Sequence, residues 1–170
     1  MNKFLIVING ESGSGKDTFV DMCKKSSKFL GVNTPITNLH RSDEAKRVLK
    51  SFGWDGERTP QVRNLLADLV EFGEETGHNN EKLFEVLDTL EGVIFYHSRD
   101  PKTISKIKEH YWFCENVQVV SLLVVRDKNI ASEQDRWDIR NYKYDKVIEN
   151  NSTLYGLEQK AKEFMLDLEV

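Results

Sequence analysis

The apolar run Phe4-Leu5-Ile6-Val7-Ile8 passes directly into Gly10-Glu11-Ser12-Gly13-Ser14-Gly15-Lys16, and no other junction constrains the fold as tightly. A short, continuous apolar run bounded by glycine reads as a strand buried on both faces. The segment after it completes the pattern G-x-x-x-x-G-K, and a run with helical spacing follows from about Gly15 to Phe29, closed by Gly31. In such a loop successive backbone N–H groups turn inward on a phosphate chain, and the helix dipole adds positive potential at the same point. Lys16 then reaches the β- and γ-phosphates as a flexible cation. A loop that holds glycines only in order to turn is the plainer alternative. The strand before and the helix after are the context that favours phosphate.

One position departs from the usual pattern. Asp17 stands where Ser or Thr is expected, and Thr18 comes one residue late. A hydroxyl at that place ligates Mg²⁺ without adding charge. A carboxylate also suits a hard cation, directly or through water. Alternatively Asp17 points elsewhere, and Thr18 or water completes the metal shell.

A chain of 170 residues with 39% hydrophobic and 31% charged residues has the make-up of one soluble globular domain. Its net charge of −4 offers nucleic acid or anionic lipid no general attraction, so an anionic ligand needs a local basic site. No basic-aromatic stripe is present either, and nucleic acid is not an expected partner. Cys23 and Cys114 have neither zinc spacing nor a CxxC arrangement and read as buried free thiols. No apolar run approaches the roughly 20 residues of a membrane span, and the N-terminus does not resemble a signal peptide. The expected setting is a reducing cytoplasm.

Short apolar runs alternate with longer amphipathic ones, which predicts an α/β fold around a mostly parallel sheet. The expected strands are 3–9, 35–39, 92–96, 117–125 and 144–148. Between the second and third, residues 42–90 carry only helical periodicity: 42–52 with Ala45, Val48 and Leu49 on one face, then a helix opened by Pro60, then about 80–90. Leu65, Leu66, Leu69, Val70 and Phe72 form the expected apolar face of the middle helix. Asp100-Pro101 reads as an N-cap with Pro at the first helical position, and 153–168 as a closing amphipathic helix. Trp112 is expected in the core, as is Trp54 unless it stacks on a base.

The loop Gly13-Ser14-Gly15-Lys16-Asp17-Thr18-Phe19 resembles the S-G-K-D-T variant of phage-type deoxynucleoside monophosphate kinases and their bacterial relatives. A similar S-G-K-D occurs in animal phosphomevalonate kinases. Ser42-Asp43-Glu44-Ala45-Lys46 resembles the A-D-x-x-K segment of the nucleotide kinases, with Ser in place of Ala. Trp54-Asp55-Gly56 with Thr59-Pro60-Gln61-Val62-Arg63 resembles their W-D-G-x-x-T-P-x-x-R insertion, and residues 144–151 their closing strand and loop. The resemblance runs in order along most of the chain, although the strand ending at Tyr96 lacks a clear terminal Asp for metal. It implies a P-loop NTPase three-layer sandwich with a five-stranded, mostly parallel sheet and helices on both faces. Within one domain it implies a helical acceptor-binding region over 42–91 and a lid over 126–143.

Phosphoryl transfer needs cations that spread over the transferring group and hold the acceptor in line. Arg126, Arg136 and Arg140 are the lid candidates, or else a solvated loop balanced by neighbouring carboxylates. Arg41, Asp43, Lys46, Arg63 and Arg99 are the acceptor candidates. In the plainer alternative Asp43 caps a helix and Arg99 pairs with a carboxylate. His97 reads more readily as a hydrogen-bonded structural histidine than as a substrate ligand. Asn150 either borders an adenine or serves a turn. The expected activity is Mg²⁺- and ATP-dependent transfer to a nucleoside monophosphate, with a deoxy sugar expected. A small-metabolite acceptor and a non-catalytic nucleotide sensor are the alternatives. Oligomeric state has no signature in the chain.

Overall fold

The computed structural model describes residues 3–29, 34–76, 78–98, 100–127 and 141–168. The strands are β1 (Lys3–Asn9), β2 (Ile36–His40), β3 (Val93–His97), β4 (Val117–Val125) and β5 (Lys146–Glu149). The helices are α1 (Lys16–Phe29), α2 (Asp43–Ser51), α3 (Pro60–Glu75), α4 (His78–Thr89), α5 (Pro101–His110) and α6 (Leu154–Asp167). Each follows its sequence expectation to within a few residues. One sheet holds the five strands in the order β2-β3-β1-β4-β5. β1 runs parallel to β3 and to β4, and β4 parallel to β5.

The chain divides into two compact units, Met1–Asn38 with Glu91–Val170, and Leu39–Leu90. In the first, β1 is buried along Phe4–Asn9, as its unbroken apolar character requires. Phe4, Ile6 and Ile8 pack with Phe19, Val20 and Cys23 of α1 and with Leu157, Ala161, Phe164 and Met165 of α6. Alternate residues of the strand point to the opposite face of the sheet. There α5, packed on β4, buries Ile104 and Ile107. The Asp100 side chain accepts from the Lys102 amide ahead of Pro101, and Thr153 accepts from the Gly156 amide, so α5 and α6 begin at their anticipated caps. Burial raises the Cys23 thiol far above its ordinary pKa, which makes it an inert core group, whereas Cys114 is only half-buried.

The second unit has its own small core of Ala45 and Leu49 from α2 with Leu66 and Val70 from α3, flanked by Trp54, Val62 and Leu69. Two expectations about apolar residues fail. Leu65 and Phe72 are 45% and 65% exposed, because α3 turns only the narrower Leu66–Val70 stripe inward. Trp112 is 77% exposed. Tyr111 takes the buried place at the end of α5, with Lys3 over its ring, and the chain then turns Trp112 and Phe113 outward. Trp54 is half-buried, its indole N–H donating to the Glu57 carbonyl at 2.8 Å.

A polar clamp fixes the entry to β5. Buried Ser121 of β4 donates to the Asp145 carboxylate from both its amide (2.7 Å) and its hydroxyl (2.6 Å), and Lys108 of α5 donates to the same oxygen at 2.7 Å. Desolvation is the largest influence on Asp145 and would raise its pKa, but the bonds from Lys108 and Ser121 together hold it below the ordinary 3.8. A depressed carboxyl contributes stability that is complete above the unfolded pKa and is lost as pH falls through the folded value. Asp145→Asn should therefore cost about 1 kcal/mol at neutral pH, discounted for its partial exposure. It should also flatten the stability–pH curve below pH 3.8, which urea titrations at several pH values would measure. Equal slopes in the two proteins would rule the clamp out as an acid-sensitive element.

Candidate functional site

The loop between β1 and α1 is held from three directions. At its start, buried Asn9 accepts the Gly10 amide on Oδ1 (2.7 Å) and donates from Nδ2 to the Tyr144 hydroxyl (2.9 Å). Gly10 has φ +144°, and a Cβ there would lie 2.3 Å from the Val124 carbonyl oxygen of β4. At its end, Gly15 has φ +94°, and a Cβ would lie 2.4 Å from the Asn150 amide nitrogen. Asn150 donates from that nitrogen to the Ser14 carbonyl at 2.9 Å, and its own N–H donates to Val125 at 2.7 Å. Both glycines are thus required by left-handed backbone and by close neighbours.

Lys16, the first residue of α1, folds its ammonium back over the loop. It donates to the carbonyls of Gly10 and Glu11, the latter at 2.7 Å, and lies 3.4 Å from the Ser14 hydroxyl. A cavity of about 420 Å³ opens at this point. Gly13, Gly15, Lys16, Asp17 and Thr18 form one wall, while Arg126 and Asn150 directly follow β4 and β5, and Ser152 lies just before α6, which Leu154 opens. Its volume falls in the range of small-molecule sites. The N-terminal N–H groups of α1 lack intrahelical partners by the geometry of any helix, so Lys16, Arg126 and the helix end concentrate positive potential at one spot. In a chain of net charge −4 this is the local basic site that an anion requires.

The Asp17 side chain is 71% exposed, and its Oδ1 lies 3.8 Å from Nε2 of His97, which ends β3 and is 8% exposed. β3 lies beside β1 with His97 level with Ile8, and the Ser98 amide donates to the Ile8 carbonyl at 3.2 Å. Asp17 and Thr18 both face the cavity and offer oxygen ligands, so the residues present fit a divalent cation carried with a phosphate chain.

Seven of the nucleotide-binding and lid candidates therefore meet in one cavity: Gly13, Gly15, Lys16, Asp17, Thr18, Arg126 and Asn150. Gly10, Glu11 and Ser14 are buried in the frame of the loop, and Ser12 is exposed at its turn. Arg41, Asp43, Lys46 and Arg63 belong to the second compact unit. There Asp43 accepts from the His40 amide at 2.7 Å and from Lys46 at 2.6 Å. Desolvation would raise the Asp43 carboxyl, but Lys46 and the His40 amide outweigh it and hold the group below its ordinary value. Arg41 is half-buried in the turn before α2, and Arg63 is exposed in the first turn of α3. Arg99, Arg136 and Arg140 lie outside the described residues.

Sequence reasoning missed Asn9 and Tyr144. Their bond spans 135 positions, and no local signal joins them. It also missed Ser152 and Leu154, which read as turn and helix start although a pocket at the ends of parallel strands collects such residues. The Tyr144 hydroxyl, raised to about 12 mainly by desolvation, stays neutral and accepts from Asn9 throughout the physiological range. Tyr144→Phe leaves the buried Asn9 N–H group without this acceptor and should cost about 1–2 kcal/mol. Thermal unfolding measures that loss, and an unchanged midpoint would show that Asn9 finds another partner.

No protein-family model and no curated protein matches this chain. Solved structures do share its fold. The thymidylate kinase of Ehrlichia chaffeensis superposes with a TM-score of 0.52 over 97% of this chain and 100% of that one, at 13% identity. The APS kinase CysC of Mycobacterium tuberculosis, as its Cys556Ala mutant, gives a TM-score of 0.50 over 98% of each chain at 11% identity. With the five-stranded sheet and the glycine loop, these likenesses establish an α/β fold of the P-loop NTPase type. No helix among the described residues is long and apolar enough to cross a membrane.

Proposed function

We propose that this chain binds ATP with Mg²⁺ in the cavity over the glycine loop and transfers the terminal phosphoryl group to a nucleoside monophosphate, with a deoxy sugar preferred. The observation that carries the reading is the convergence of Lys16, Arg126 and the N-terminus of α1 on one 420 Å³ cavity, where a polyphosphate would meet positive potential from two sides. The kinase likenesses support phosphoryl transfer as the class of chemistry, and the ordered motif resemblance supports the acceptor.

In this reading the loop amides and Lys16 hold the β- and γ-phosphates, while Arg126 neutralises charge on the transferring group. Asp17 and Thr18 would hold the cation, which would supply charge neutralisation to the phosphate chain. A monophosphate acceptor is already nucleophilic, so no general base is required. Arg41, Asp43, Lys46, Arg63 and Arg99 hold the acceptor in this proposal, with Arg136 and Arg140 as further cations for the transferring group. Arginine suits those places because its planar fork binds a phosphate through two N–H groups. The partners are small nucleotides, not nucleic acid or membrane, and the setting is a reducing cytoplasm.

Incubation of the purified chain with γ-labelled ATP, Mg²⁺ and a panel of ribo- and deoxynucleoside monophosphates tests the reading. Phosphomevalonate belongs in the panel as the rival acceptor. Label should pass to a deoxynucleoside monophosphate. Label passing only to phosphomevalonate would reassign the acceptor, and ATP binding without transfer to any acceptor would make the chain a sensor.

A further inference from the structure

The pairing of Asp17 with His97 is not explained by the phosphate site alone. His97 closes β3, the strand beside β1, at the place where the motif resemblance calls for an acidic metal ligand and finds none. Its side chain is buried, yet Nε2 comes within 3.8 Å of the Asp17 carboxylate, which faces the cavity beside Lys16 and Thr18. That separation exceeds a hydrogen bond. It matches the spacing of two donors on one cation, since two ligand bonds of about 2.1 Å place their donor atoms about 3 to 4 Å apart.

We propose that His97 supplies a nitrogen ligand and Asp17 an oxygen ligand to the divalent cation of the phosphate site, and that this pair makes the site prefer Mn²⁺ to Mg²⁺. The inference rests on the phosphate reading of the cavity. It adds an imidazole to a site whose other donors are oxygens, and a choice of ion follows. Mg²⁺ is a hard cation of near-ideal octahedral habit, held through oxygen and retained water. Imidazole nitrogen binds first-row divalent ions more strongly than it binds Mg²⁺. Mn²⁺ is the first-row ion that shares the Mg²⁺ affinity for oxygen ligands, so a mixed nitrogen and oxygen set tilts the choice between these two toward Mn²⁺. A neutral imidazole with its proton on Nδ1 presents Nε2 as the ligand. Burial of the ring fixes that nitrogen at the end of the strand, whereas the exposed Asp17 carboxylate can swing to meet the ion.

The experiment uses the untagged full chain with ADP and either Mn²⁺ or Mg²⁺. Pulsed electron paramagnetic resonance of the Mn²⁺–ADP complex should show modulation from a directly bound nitrogen nucleus. His97→Gln should abolish it, while His110→Gln should leave it in place. By equilibrium dialysis, ADP should bind about tenfold more tightly with Mn²⁺ than with Mg²⁺, and His97→Gln should shrink that ratio. Equal ADP affinity with the two ions and no nitrogen modulation would overturn His97 as a ligand and leave the phosphate site standing. No ADP binding with either ion would overturn the phosphate site and this inference with it. Absence of nitrogen modulation in the unaltered chain would overturn the proposal however well His97→Gln folds.

Discussion

Lys16→Ala is expected to slow phosphoryl transfer by about a hundred- to a thousandfold, the usual loss when one preorganised charge donor is removed from a transferring group. Thermal stability should scarcely change. The ammonium makes its described bonds to the carbonyls of Gly10 and Glu11 and to the Ser14 hydroxyl, all at the mouth of an open cavity that water can enter. Ala is also the best helix former at the first position of α1. Lys16→Arg should rescue little, because a planar fork does not replace a compact point charge that three loop oxygens surround. Initial rates at saturating ATP, with unfolding midpoints beside them, separate the two effects. Transfer by Lys16→Ala at the unaltered rate would place the phosphates somewhere other than this cavity.

The second large effect belongs to Gly10. Gly10→Ala forces a Cβ to within 2.3 Å of the Val124 carbonyl oxygen at a φ of +144°. Backbone strain of about 1–3 kcal/mol adds to an overpacking cost of similar size. For a domain of this length the sum lowers the unfolding midpoint by about 10 °C. Gly15→Ala should divide its effects differently. Its Cβ would press on the Asn150 side chain, 2.4 Å away, which can move aside at the cost of its bond to Ser14. Nucleotide affinity should then fall while the midpoint drops less than for Gly10→Ala. Circular dichroism melts and ADP titration of both variants test the contrast, and equal melting losses would refute it.

These two glycines also mark how far the chain can be read without its fold. An apolar run, a glycine loop and a helical stripe are local signals, so β1, the loop and α1 stand where periodicity places them. The caps at Asp100 and Thr153 are local as well, because a side chain that bonds an amide two or three residues ahead leaves its mark in spacing. The contacts that give the loop its shape are not local. Asn150 reaches Ser14 across 136 positions, and nothing near either residue announces the other. His97 next to Asp17 follows from the order of strands, which periodicity does not specify. Trp112 misleads because size and apolarity predict burial only when the backbone turns the ring inward, and here Tyr111 occupies that place.

The Asn150 strap has a consequence for the outer rim of the sheet. β5 has four residues, pairs with β4 and ends the strand order, and a strand so placed is among the first parts of a fold to open. Its exit is tied to Val125 by the Asn150 amide and to the glycine loop by the Asn150 side chain. Opening this edge therefore disrupts the loop, and a ligand that binds only the intact loop must be released before the edge can open. If the loop holds a nucleotide as proposed, amide hydrogen exchange at Val147–Glu149 should gauge its occupancy, slowing in proportion to one plus the ligand concentration over its dissociation constant. This margin of the sheet is in this way coupled to what the loop holds.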